Sequence, residues 1–217
     1  MYISEIAWRP QNPTYPKILI LGESHYDEDI NPGEENKHIT RDIVELVIND
    51  KVKDRWRFFF RNIAASFGYK DRVRDFYDKV YFANYVEESC GTGSNNIAAH
   101  LIWEKGNRDR YNKAVFEFCN EENISIICAF SKIAYFALPR IDTNHGEEVN
   151  NYLVPNGSNY TVGKTNYKKG ISFDREIDLK NDLTLYGFNH ASRSGYRKAY
   201  EFISKEFEYH DIFNKSV

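Results

Sequence analysis

The stretch Lys17-Ile18-Leu19-Ile20-Leu21-Gly22-Glu23-Ser24-His25-Tyr26 decides the fold. Four aliphatic residues in succession, with no polar position among them, describe a strand buried on both faces, as in a parallel sheet covered by helices. The apolar run stops at a glycine and gives way to an acid, a hydroxyl, an imidazole, a phenol ring and, at Asp27, a second acid. Groups of this kind at the carboxyl end of a buried strand stand where open α/β sheets bind ligands.

Working outward, residues 17–21 are the first of four such runs. The others are 80–84, 124–130 and 183–188, each short and rich in β-branched or aromatic residues. Between and after them the apolar residues recur with helical period. Residues 40–50 align Ile43, Leu46 and Val47, and residues 53–67 align Trp56, Phe59, Phe60, Ile63 and Phe67. Residues 108–120 align Tyr111, Val115 and Phe118, 131–138 make a short helix, and 194–209 align Tyr196, Tyr200, Ile203 and Phe207. Strands alternating with helices predict a three-layer α/β/α domain with a four-stranded parallel sheet, spanning residues 1–217 without an internal linker. Residues 143–170, rich in Asn, Gly and Tyr, are too long for a plain connection and are expected to form a lid, a hairpin or an insertion.

Composition narrows the function. The net charge of −3 excludes a global basic field, but cations gather locally: Lys53, Arg55, Arg57 and Arg61, then Lys70, Arg72 and Arg74, then Lys164, Lys168 and Lys169. With 16 Tyr and 15 Phe against one Met, some rings are expected at the surface, where they can stack on a ligand. Cys90, Cys119 and Cys128 have no paired spacing and read as reduced thiols, with no metal site. Residues 1–16 lack an apolar leader and no run reaches membrane length, so the expectation is a cytoplasmic protein.

Three strand ends carry the chemistry. The first offers Gly22 to Asp27, with Gly22 expected to let the backbone turn and approach a ligand. The second places the amide of Asn84, followed by Tyr85, at the end of an apolar run, where it would suit either the edge of a nucleobase or a structural bond to backbone. At the third strand's end, near Ser131, no catalytic group stands out. The fourth run ends in Asn189-His190-Ala191-Ser192, and His190 reads as an acid, base or electrophile facing the first cluster.

In this order the features resemble the uracil-DNA glycosylase superfamily. There the first strand ends in Gly-Gln-Asp-Pro-Tyr or Gly-Glu-Ala-Pro-Gly, the second carries a base-reading Asn, and the fourth ends in His-Pro-Ser. This chain has Gly22-Glu23-Ser24-His25-Tyr26, Asn84 and His190-Ala191-Ser192. The resemblance implies a parallel sheet of strand order 2-1-3-4. It implies Tyr26 as the wall of the base pocket, Asn84 as the base reader, and His190 as the donor to the departing base. Gly22, His25 and Tyr85 would line the same pocket. Ser192, Arg193, Ser194, Tyr196 and Arg197 would touch DNA, through a loop that fills the gap left by an extruded nucleotide.

Ser24 stands where the uracil-specific enzymes have their water-orienting Asp, and both motifs lack proline. Glu23 or Asp27 is therefore expected to position water, with His25 a weaker candidate. The implied activity is monofunctional excision of uracil or another modified pyrimidine, such as a bulky modified cytosine of phage DNA, in repair or anti-phage defence. No cofactor is implied, the partner is DNA carrying such a base, and a monomer is expected. Two other readings compete: a serine esterase similar to the SGNH family, using Ser24 and His190, and a nucleic-acid-binding member of the fold that has lost catalysis. The first expects an Asp three residues before the late His, where this chain has Gly187. A Glu/His motif similar to that of the erythromycin esterases is a further, poorer match, since its spacing differs and His38, His100, His145 and His210 fall in unrelated contexts.

Overall fold

The computed structural model describes residues 3–25, 39–51, 54–91, 96–139, 161–170, 172–173, 177–191 and 196–208. A central strand β1 (Ile18–Gly22) is buried at every position. It pairs in parallel with β2 (Tyr81–Asn84) on one side and with β3 (Ile126–Ala129) on the other. Next to β3 runs β7 (Leu183–Phe188), also parallel, and β4 (Thr161–Tyr167) closes the sheet antiparallel to β7. The resulting order is β2-β1-β3-β7-β4, and β5 (Ser172–Phe173) pairs separately with β6 (Ile177–Asp178).

The sheet separates two apolar cores, as the alternation of β1 requires. Ile18 and Ile20 face one core with α2 (Ile39–Ile48), α3 (Asp54–Ser66), α4 (Val73–Tyr77) and α8 (Tyr196–Glu208). Leu19 and Leu21 face the other, with α1 (Ile3–Ile6), α5 (Ala98–Trp103), α6 (Asn107–Glu122) and α7 (Lys132–Ala137). The α/β/α expectation therefore holds, and the four predicted strands form the parallel part of the sheet in the order 2-1-3-4. The correction is a fifth, antiparallel strand, β4, drawn from the segment read as irregular.

The edge of β2 away from β1 is occupied. Trp8 bridges Phe82 in antiparallel fashion, with backbone bonds of 2.8 Å (Trp8 N to Phe82 O) and 3.2 Å (Phe82 N to Trp8 O). Among the described residues no helix is long and apolar enough to cross a membrane.

Candidate functional site

Register brings the strand ends level: Gly22 lies opposite Asn84, Leu21 opposite Ala129, and Ala129 opposite Gly187. The chain leaves β1 toward β2 on one side and reaches β3 on the other, so the topological switch point lies between the carboxyl ends of β1 and β3. Glu23 and Ser131 meet across that point, Ser131 Oγ donating to Glu23 Oε2 at 2.7 Å. Ser131 is also the N-cap of α7, where its Oγ accepts from the backbone N–H groups of Ile133 and Ala134 at 3.1 and 3.2 Å. A single hydroxyl therefore fixes the start of a helix and holds the half-buried carboxylate at the head of β1. A serine directly ahead of a helical run carries the N-cap signature, the signal in the sequence that could have drawn attention to position 131.

Gly22 does not serve as a turn. It stays in the strand, and a Cβ built on it would stand 2.1 Å from Asn84 Oδ1. The bare α-carbon thus accommodates the Asn84 amide rather than an incoming ligand. The other end of that amide contacts His25, with Asn84 Nδ2 at 3.1 Å from Nδ1, while His25 Nε2 lies 3.0 Å from Thr40 Oγ1. An amide N–H can only donate, so His25 Nδ1 accepts and Nε2–H donates to Thr40. His25 is 2% exposed, and burial lowers its pKa from the ordinary 6.5 to about 3. It is a neutral peg tying β1, β2 and α2 together, which corrects the expectation that it acts as a base or contacts substrate.

Tyr85 also departs from expectation. It is fully buried, its ring packs on Tyr111 with centroids 5.4 Å apart, and its hydroxyl donates to Asn112 Oδ1 at 2.8 Å. The side chain belongs to the core under the edge, not to a substrate wall. Ser24 is buried, and its Oγ has no nitrogen or oxygen partner among the described residues. Beside it lies Cys90, whose thiol is pushed up to about 12, chiefly by burial; the Ser24 hydroxyl opposes the rise, and the Glu88 and Glu23 carboxylates add to it. A thiol held protonated in this way is a poor nucleophile.

Glu88 was not anticipated. Its carboxylate forms an ion pair with Arg110 and accepts from the Tyr111 hydroxyl at 2.8 Å. Burial and this carboxylate together raise the Tyr111 phenol well above its ordinary value. The run Glu87-Glu88-Ser89-Cys90 begins three residues after the second strand, where Glu23-Ser24-His25 begins directly after the first, so the same criterion applied a few positions further on would have found it.

His190 stands on the other side of the edge. Its half-buried ring lies on Phe59 of α3, with centroids 4.8 Å apart and planes inclined by 32°. Asn62, one turn on, donates to the carbonyl of Ala191 at 2.7 Å, so α3 holds both the imidazole and the chain that follows it. Glu23 and His190 therefore share the carboxyl edge but lean to opposite faces, Glu23 toward α7 and His190 toward α3. Two strand spacings, roughly 10 Å, separate the strands that carry them. Tyr26, Asp27, Ser192, Arg193 and Ser194 lie outside the described residues, and Tyr196 and Arg197 are described only as backbone in the first turn of α8.

Among the described residues no three His, Cys, Asp or Glu side chains are grouped so as to hold a metal ion. No family model, curated protein or solved structure matches the chain.

Proposed function

We propose that the protein is a monofunctional DNA glycosylase acting on a modified pyrimidine. The observation that carries this reading is the placement of Glu23, Asn84 and His190, from three distant stretches of chain, along the carboxyl edge of one sheet ordered 2-1-3-4 in its parallel part. An extruded nucleotide would lie across that edge, its sugar toward Glu23 and its base toward His190.

The roles follow from charge. Cleavage of the N-glycosidic bond leaves positive character on the sugar and sends the bonding electron pair to the base. The Glu23 carboxylate stabilises the sugar cation and orients a water molecule toward C1′. His190 donates a hydrogen bond to the base oxygen as negative charge gathers there. Water oxygen then bonds to C1′, its proton is lost to the carboxylate or solvent, and the departing base is protonated. Asn84, fixed by His25, stands on β2, on the side of Glu23 away from His190, and so would wall the sugar side of the site rather than the base. The esterase reading lacks comparable support, because its nucleophile would be Ser24, which is buried and has no imidazole partner among the described residues.

One observation favours a second reading, a nucleic-acid-binding protein without catalysis: the Asn84 amide is already engaged by His25 and packed on Gly22. A single experiment separates the two. Duplexes carrying a panel of modified pyrimidines are incubated with the protein and then treated with alkali. Strand breaks at the modified position, lowered about a thousandfold by His190→Ala, are expected of the glycosylase. Tight binding with no alkali-labile site on any duplex would establish the second reading instead.

A further inference from the structure

Two of the three cationic clusters in the sequence come together in space. Arg57 and Arg61 of α3 line one cleft with Lys70, Arg72 and Arg74 of the segment leading into α4, and the cleft encloses about 410 Å3. Three aspartates share the lining, leaving an excess of two positive charges in a protein whose net charge is −3. Arg57 is paired with Asp50, and the Arg72 guanidinium lies 4.7 Å from the centre of the Tyr69 ring, which orients its planar fork. Arg61, Lys70 and Arg74 make no ion pair with any described residue. Gathering like charges that the three aspartates neutralise only in part costs stability, and an anionic ligand removes that cost.

The placement of the cleft identifies the ligand. Arg57 and Arg61 stand about 6 Å apart along α3, close to the axial rise of two phosphate intervals of one strand at about 3.4 Å each. On the opposite side of the same two turns, Phe59 supports His190 and Asn62 holds the Ala191 carbonyl. Between these sides the Phe58 ring is 61% exposed. One helix, about 10–12 Å across with its side chains, therefore separates the cationic cleft from the edge where the base would be cleaved.

We propose that the cleft between α2, α3 and residues 70–75 binds the phosphodiester backbone of DNA, flanking the nucleotide presented to the carboxyl edge. This rests on the reading of the protein as one that handles DNA, but not on catalysis.

The test therefore uses unmodified DNA with no excisable base. Binding of fluorescein-labelled single-stranded and duplex oligonucleotides is followed by anisotropy between about 50 and 200 mM salt. The triple variant Arg61→Ala/Lys70→Ala/Arg74→Ala is compared with Lys105→Ala/Lys168→Ala/Lys180→Ala, which removes equal charge from exposed positions outside the cleft. Thermal melting checks that both remain folded. The cleft variant is expected to bind tens to hundreds of times more weakly at the lowest salt, on every sequence alike. Its slope of log K against log salt should be shallower by about 2 to 3, while the control stays near wild type. Equal losses in both variants, or an unchanged slope in the cleft variant, would overturn the proposal. So would millimolar inorganic phosphate that perturbs the Arg61 and Arg74 side-chain NMR signals while DNA affinity stays the same in the cleft variant, since the cleft would then hold a small anion only. Failure to release any base would refute the glycosylase reading and leave this result standing.

Discussion

His25 and His190 occupy comparable places, each just beyond a buried strand at the same edge of the same sheet, yet their surroundings differ. His25 is sealed between Asn84 and Thr40, with both ring nitrogens in contact and its proton affinity lowered by burial. His190 is half-buried, leans at a tilt on an aromatic ring and is backed by a helix. An imidazole that cannot ionise near neutrality holds a structure together, whereas a half-buried one at the strand ends stands outside that seal, as the role proposed for His190 requires. Depth, not residue type or position after a strand, distinguishes the two.

The comparison can be broken most decisively by mutation. His190→Ala should lower single-turnover base release about a thousandfold with little change in melting temperature, and His25→Ala should do the reverse. Loss of the His25 ring leaves Asn84 and Thr40 without their buried partner and should lower the unfolding free energy in urea by about 2–4 kcal/mol. Equal stability losses from the two changes would dissolve the distinction. A smaller catalytic effect is expected from the Glu23 side: Glu23→Gln should slow release about a hundredfold. Ser131→Ala should slow it about tenfold and, through the lost cap, cost about 1 kcal/mol of stability.

Gly22→Ala sharpens the structural half of the comparison. Its methyl group would displace the Asn84 amide from His25, at a cost of about 1–3 kcal/mol measured by denaturant unfolding. The most gradual effect is the pH dependence. The unfolded imidazole gains its proton near 6.5 and the folded one only near 3, so the unfolded chain binds the extra proton throughout that interval. The stability contributed by a neutral His25 is complete above the upper value and is lost as the pH falls toward the lower, with a slope of at most ~1.4 kcal/mol per pH unit. Urea midpoints compared with those of His25→Gln should isolate this slope, and parallel pH profiles would contradict the sealed state.

The four parallel strands were legible because each is a short, mostly apolar run, and on β7 even the bounds 183–188 agree. The strand β4 was not legible because Gly163, Lys164 and Asn166 break every apolar pattern, and its pairing with β7 depends on the chain doubling back past residues 170–182. Likewise α4 and α5, of five and six residues, are too short to display a helical period. At the site, Glu23, Asn84 and His190 could be named from their positions alone. Their relations could not. The contact between Asn84 and His25 spans 59 positions and requires a missing Cβ at Gly22, and Glu23 meets Ser131 over 108 positions. Burial separates His25 from His190, and burial is a property of the assembled layers, not of the strand ends.

The way Trp8 lies along β2 has a consequence for how copies of this protein behave toward one another. A parallel sheet ends in rows of unpaired amides that another chain can adopt as a template for growth. Here the Phe82 amide and carbonyl are already spoken for by Trp8, and Asn12 and Thr14 continue the cover by donating to Asp78 and Lys79 at 2.9 Å each. At the far rim β4 carries a glycine and a lysine, and its register is interrupted between Thr161 and Gly163, a poor scaffold for recruitment. Crowded solutions of the folded chain should therefore resist fibre formation, even though its interior strands are among the most aliphatic segments it has.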